Sequence, residues 1–262
     1  MKKCFIFLCV LVLLAGIAVA EDIGLTVGVD FSVDNVTNAN DGKMGPILMP
    51  SIAYDTHFLD DALNFTTELD YYFDLTPDFK DLAQYLDLDL TLGYTLNLGR
   101  ASTLLLEADN LFEGFKISPR SDDITGTFTP SIKFTQNTDI GGTYVKVSTP
   151  ICYIGGKGIL LRSRLGWDST FGLGIWAQLD SSLDPSKLYQ GLRANVSYGA
   201  DSFDFDVTAR VYNDLDDGIE IKPNVNIYIG AFNFNAYCTF GGVAAKGGDV
   251  TISPGVGIYF NF

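Results

Sequence analysis

From residue 22 onward the chain alternates apolar and polar side chains with a period of two. Residues 86–98 show it best: Leu86, Leu88, Leu90, Leu92, Tyr94, Leu96 and Leu98 share one side, and Asp87, Asp89, Thr91, Gly93, Thr95 and Asn97 the other. Residues 63–75 repeat it, with Leu63, Phe65, Leu69, Tyr71, Phe73 and Leu75 against Asn64, Thr66, Glu68, Asp70 and Asp74. Further stretches follow the same rule at 23–33, 124–134, 171–179, 203–211, 219–229, 232–240 and 250–262. Successive side chains of a strand point to opposite faces, so the pattern predicts β-strands; an amphipathic helix needs spacings of three and four.

Alternation also fits a soluble sandwich or a lipocalin-type barrel. Two features favour a membrane barrel. The segments often reach the ~9–11 residues that a tilted strand needs to cross a bilayer, and their polar faces carry charge. The connections also alternate in length. Short links fall near 56–61, 99–102, 137–142, 167–170, 199–202 and 230–231, and longer ones at 34–45, 76–84, 114–123, 180–187, 213–218 and 241–249. The link at 155–158 is short where a long one is due. The expectation is an all-β, transmembrane, antiparallel up-and-down barrel of about fourteen strands, between roughly twelve and sixteen. Closure removes the exposed edges that long apolar strands would otherwise present.

With these residues in place, the chain resembles the bacterial outer-membrane β-barrel proteins, porin-like ones included, over nearly all of 22–262. The sharpest local mark is the C-terminus, where Val256, Ile258, Phe260 and Phe262 are apolar at alternate positions; Pro254 departs from the pattern. The resemblance implies that Ile258, Phe260 and Phe262 form the signal read by the barrel-assembly machinery. It also implies an integral protein of the outer membrane, solvated by outer-membrane lipid.

The first twenty residues stand apart. Lys2 and Lys3 precede an apolar stretch that ends in Ala18-Val19-Ala20 before Glu21, the pattern of a cleaved secretory signal peptide. The stretch is short of the ~20 residues of a spanning helix, and Cys4 and Cys9 lie too early for a lipoprotein. The expected organisation is therefore a signal peptide over 1–20 and a single barrel domain over 21–262. Cys152 and Cys238 are read as ordinary strand residues, since two cysteines make no disulfide framework.

Composition sharpens this picture. The chain is 47% hydrophobic, with 19 Phe and 13 Tyr, which rules out a disordered polymer. Its net charge of −15, −17 once Lys2 and Lys3 leave with the leader, argues against nucleic acid. One histidine leaves no room for a multi-histidine metal site, and neither metal nor other cofactor is expected.

If the apolar faces look at lipid, the polar faces look inward. The candidate pore-lining residues are Glu68, Asp70, Asp87 and Asp89 on neighbouring strands. Arg162, Arg164, Arg193, Arg210 and Lys222 lie on later strands, with Lys133 between. Carboxylates facing guanidiniums across a watery lumen would create a transverse field that orients polar solutes. The alternative is cross-strand pairing, which Asp204 and Asp206 on the strand of Arg210 favour in part. Trp176, Tyr189, Tyr212, Tyr228, Tyr237 and Tyr259 are also expected inside, as lumen filling or as stacking faces for sugars. Outward aromatics such as Phe31, Tyr71, Tyr94, Trp167 and Phe262 are expected in the interface girdles. Asp34, Asp41, Asp78, Asp81, Asp122, Asp123, Asp180, Asp184, Asp214, Asp216 and Asp217 are assigned to solvated links.

Enzymatic function is not expected. His57 is the only histidine and is placed at a short turn; no G-x-S-x-G elbow occurs, and Gly155-Gly156-Lys157-Gly158 is not a phosphate loop. The sequence therefore predicts a passive diffusion channel for small polar solutes, as a monomer or homo-oligomer. A closed structural or surface-binding barrel acting through acidic loops is the alternative.

Overall fold

The structure, a computed structural model, describes residues 24–34, 45–74, 84–118, 125–154, 159–183, 190–211, 218–245 and 250–262. The leader, most of the longer links, the 155–158 link, Tyr189 and Tyr212 lie outside these residues. Every regular element among the described residues is a strand. They are β1 (Leu25–Asp34), β2 (Gly45–Phe58), β3 (Leu63–Asp74), β4 (Gln84–Asn97) and β5 (Ser102–Ser118). Next come β6 (Thr125–Thr138), β7 (Gly141–Ser148), β8 (Ile151–Ile154), β9 (Leu160–Ser169) and β10 (Leu173–Ser182). The chain closes with β11 (Gln190–Ala200), β12 (Phe203–Val211), β13 (Ile219–Ile229), β14 (Phe232–Val243) and β15 (Thr251–Asn261).

Pairing is antiparallel throughout, and β15 returns to β1 in continuous register from Thr26↔Asn261 to Ser32↔Gly255. The sheet therefore has no open edge. β7 and β8 are two pieces of one stave: β7 pairs with Ser131–Thr138 and β8 with Gly126–Phe128 of the same strand β6. Pro150, which has no N–H to give the ladder, marks the break, and Thr149 N–H donates to Pro130 O across it at 3.0 Å. Fifteen segments thus make a closed, fourteen-stave, up-and-down barrel. The strand count expected from the alternation holds, and the 155–158 link joins β8 to β9.

The short links at 59–62, 98–101, 139–140, 170–172, 201–202 and 230–231 all lie on one rim, together with both ends of the described barrel. Three of them are two residues long; in one, Gly230–Ala231, Gly230 (φ 61°) supplies the positive φ that a two-residue hairpin of this handedness demands at its first position. Aromatic pairs collect on this rim: Trp167 with Phe171, Tyr198 with Phe203, and Phe260 between Phe232 (4.8 Å) and Phe262 (4.4 Å). Phe31, Tyr71 and Phe73 lie toward the other rim. Two aromatic belts fit the two interfaces of a bilayer.

The usual order of burial is inverted. Large apolar side chains such as Leu165 (60% exposed), Ile132 (54%) and Val256 (55%) stand on the outside, while Asp180, at 1%, is fully enclosed. Such a surface is stable only against another apolar solvent. A charge placed on it discriminates the two settings. Leu165→Arg, near the middle of β9, is expected to cost about 2–4 kcal/mol in lipid vesicles, read from reversible unfolding in urea. A loss below about 0.5 kcal/mol would mean this face sees water.

Candidate functional site: the inner wall of the barrel

Because the lipid face takes every second residue, the intervening residues line the inside, and the register fixes which of them meet. On β3 and β4, Glu68 pairs directly with Asp89 and Asp70 with Asp87. Asp30 on β1 lies within electrostatic reach of Glu68 and Asp70, and Asp109 on β5 within reach of Asp89. One sector of the wall is therefore acidic, with like charges directly opposed across the ladder, an arrangement that costs stability.

The basic sector lies opposite. β3 is seven staves from β11 and β4 seven from β12, half the circumference of a fourteen-stave ring. Glu68 and Asp70 thus face the sector of Arg193, and Asp87 and Asp89 that of Arg210. Arg193 and Arg210 pair with each other across β11 and β12. Arg162 and Arg164 project from β9, and Arg162 is within electrostatic reach of Arg164, Arg193 and Arg210. Lys133 pairs with Lys146 and sits 4.1 Å over the Tyr144 ring; Lys222 sits 4.6 Å over the ring of Tyr237. The register gathers the sequence-derived acids in one sector. Of the bases, it sets Arg193 and Arg210 opposite them, Arg162 and Arg164 on β9 beside these, and Lys133 and Lys222 farther round on either side.

What holds the arginines is a residue that sequence reasoning misplaced. Asp180 was assigned to a link, yet it is the eighth residue of β10, inside the barrel, where it pairs with Arg162 and Gly191. Its Oδ2 lies 3.3 Å from Arg193 Nη2, its Oδ1 lies 3.9 Å from Arg162 Nε, and Gln178 Nε2 donates to Oδ1 at 2.7 Å. Gln178 Oε1 in turn accepts from Nε (2.9 Å) and Nη2 (2.6 Å) of Arg164, whose guanidinium stacks on Trp176 at 4.1 Å. The signal was present: Trp176, Gln178 and Asp180 continue the period of two beyond the last apolar residue of that face, whereas Asp180-Ser181-Ser182 reads locally as a turn.

The third sector is rich in amides. Asn235 Nδ2 donates to Oδ1 of Asn224 (2.6 Å) and Asn226 (2.8 Å). Asn226 and the Tyr228 hydroxyl donate to Asp204, and Asn195 and Asn224 to Asp206. The two aspartates expected to neutralise Arg210 are thus taken up by amides and a phenol. Asn224-x-Asn226-x-Tyr228 and Asn233-x-Asn235-x-Tyr237 repeat on either side of the Gly230–Ala231 turn, a pattern present in the sequence. Tyr237 and Tyr259 lie flat over Gly255 and Gly28, where a Cβ would collide with the rings. Such cross-strand cover of a glycine by an aromatic ring pins register. Trp176, Tyr228, Tyr237 and Tyr259 are all inside, as expected. A cavity of about 560 Å³ lies along this sector, bounded by Asp30, Lys222, Asn233, Tyr237 and Tyr259 among others.

Two expected features stand apart from the wall. Ile258 and Phe260 face outward on β15, and Phe262 follows that strand at the short-turn rim. His57 is also on that rim, exposed, with its Nε2 3.4 Å from Asp55. Among the described residues no group of His, Cys, Asp and Glu is arranged to hold a metal ion.

This architecture recurs in known structures. A double mutant of the Rh. blastica porin superposes with a TM-score of 0.50 at 10% identity, covering 91% of this chain and 99% of that one. A second double mutant of the same porin gives the same figures. CdiB from Acinetobacter baumannii superposes at 0.52 and 9% identity over 91% of this chain and 60% of its own. The fold is that of a porin-type barrel. No family model matches the sequence, and no curated protein matches it. At these identities the likeness is one of fold alone.

Proposed function

We propose that the chain is an outer-membrane channel through which small polar solutes diffuse passively. The observation that carries the reading is the opposition of Glu68, Asp70, Asp87 and Asp89 to Arg193 and Arg210 across fourteen staves. Fixed opposite charges half a circumference apart set up a field across the bore, which aligns dipolar solutes and carries their charged ends along separate walls. Eight staves leave an interior filled by side chains and sixteen or more an aqueous channel. The cavity along the amide sector, which is open to the bore, supports the wetter of the two for fourteen.

The apolar exterior, the paired aromatic belts and the leader-like segment support location in the outer membrane, and the aromatic C-terminus supports entry through the barrel-assembly machinery. The refolded protein in a planar bilayer is expected to give discrete conductance steps. A barrel that inserts, shown by heat-modifiable gel mobility, and yet gives no steps in several salts is closed. It would then act through its surface, and the channel reading falls.

A further inference from the structure

We propose that the arginine cluster forms a binding site for a tetrahedral oxyanion, namely inorganic phosphate or sulfate or the phosphoryl group of a small solute. The inference rests on the channel reading only for how the anion arrives.

Hydrogen-bond accounting comes first. Four of the six arginines in the sequence stand in this cluster, and each guanidinium offers five N–H donors and no acceptor. Among the described residues, Arg162 and Arg193 share the two oxygens of Asp180, and Arg164 has Gln178 Oε1 and the Tyr144 hydroxyl. The Nε–H groups of Arg162 and Arg193 are buried with no acceptor. A buried donor left without a partner costs free energy, as does the direct opposition of Arg193 and Arg210. An anion seated against the exposed edges of these guanidiniums relieves their mutual repulsion.

The space is also there. A cavity of about 140 Å³ opens against Arg162, Arg164, Arg193, Lys146 and Ser148. That is the room of roughly four or five waters, enough for one tetrahedral oxyanion with a water beside it. Glu107 and Asp109 close the far side. Glu107 is matched there by Lys146 Nζ at 2.5 Å and by the Ser131 hydroxyl at 3.1 Å, and Asp109 is hydrogen-bonded with Asp89, so an anion is drawn to the guanidinium side. Donors converge from β7, β9 and β11, three separate staves. A tetrahedral set of oxygens can accept from three directions at once, whereas chloride presents a single atom.

The test uses refolded full-length barrel in detergent micelles at constant ionic strength, with sodium phosphate, sulfate or glycerol phosphate exchanged against sodium chloride. Titration calorimetry is expected to show saturable phosphate binding at least tenfold tighter than any chloride signal. Arg193→Gln should weaken it tenfold or more and Ser148→Ala several-fold, while Thr26→Ala, on the larger cavity, leaves it as it is. If Arg193→Gln does not refold, the Ser148→Ala against Thr26→Ala comparison decides. Equal binding of glycerol phosphate assigns a phosphoryl group; binding of phosphate and sulfate alone assigns the free anion. Phosphate indistinguishable from chloride overturns the site, as does binding that Thr26→Ala weakens and Ser148→Ala does not. Because micelle binding needs no current, phosphate binding without conductance would sink the channel alone. Conductance without binding would sink the site alone.

Discussion

Asp180→Asn is expected to destabilise the barrel by about 3 kcal/mol, measured as reversible unfolding in lipid vesicles. The side chain is 1% exposed and, among the described residues, is the one carboxylate within ion-pair distance of Arg162 and Arg193. Breaking a buried ion pair from one side leaves the other charge enclosed and uncompensated, and such changes cost about 3–5 kcal/mol. The asparagine also turns an amide donor toward donors. The origin of the loss is checked by the double variant Asp180→Asn/Arg193→Gln. Removing the stranded cation as well should recover a good part of the loss, giving a coupling of about 1–3 kcal/mol. A single-variant loss below about 1 kcal/mol, or losses that simply add, would mean that water in the bore already solvates these guanidiniums and that Asp180 is not what holds them.

The same residue shows where sequence reading succeeds and where it stops. Strand identity, closure and sidedness follow from a solvent asymmetry written at every second position, so β12 and β13 match the sequence-derived ranges 203–211 and 219–229. Ends are harder. β5 runs to Ser118, past the expected start of its link at 114, and β10 runs to Ser182, because a strand of a closed barrel continues outward for as long as its neighbours offer a ladder. Asp180 was lost for that reason. Partners are harder still. Asp204 and Asp206 share a strand with Arg210, but a hydrogen-bonded partner is set by the cross-strand register, which brings Asn195, Asn224, Asn226 and Tyr228 to them instead. Period-two arithmetic says which face a residue occupies; it says nothing of what stands across the gap. The opposition of acidic and basic sectors was legible because it needs only strand order. The Gln178–Asp180 bracket was not, because it needs register.

The largest functional effect is expected from Arg162→Gln/Arg193→Gln/Arg210→Gln, which should move ion selectivity toward cations by about tenfold at 0.1 M salt. Each guanidinium acts on an ion passing at about 8 Å with an energy of about 0.5 kcal/mol in water. Three removed together come to about 1.5 kcal/mol, close to a factor of ten in a permeability ratio. The reciprocal change, Glu68→Gln/Asp87→Asn/Asp89→Asn, should move selectivity toward anions by a similar factor, since it empties the opposite wall. Both are read as reversal potentials in a salt gradient across a planar bilayer. The two shifts should shrink together as salt is raised to about 1 M, where the screening length falls from about 10 Å to about 3 Å and passing ions no longer feel the wall. A shift that persists at high salt would point to an altered bore and not to a field. The absence of any shift at 0.1 M, in variants that refold and conduct, would mean that the charges neutralise one another along the wall before a solute can sense them.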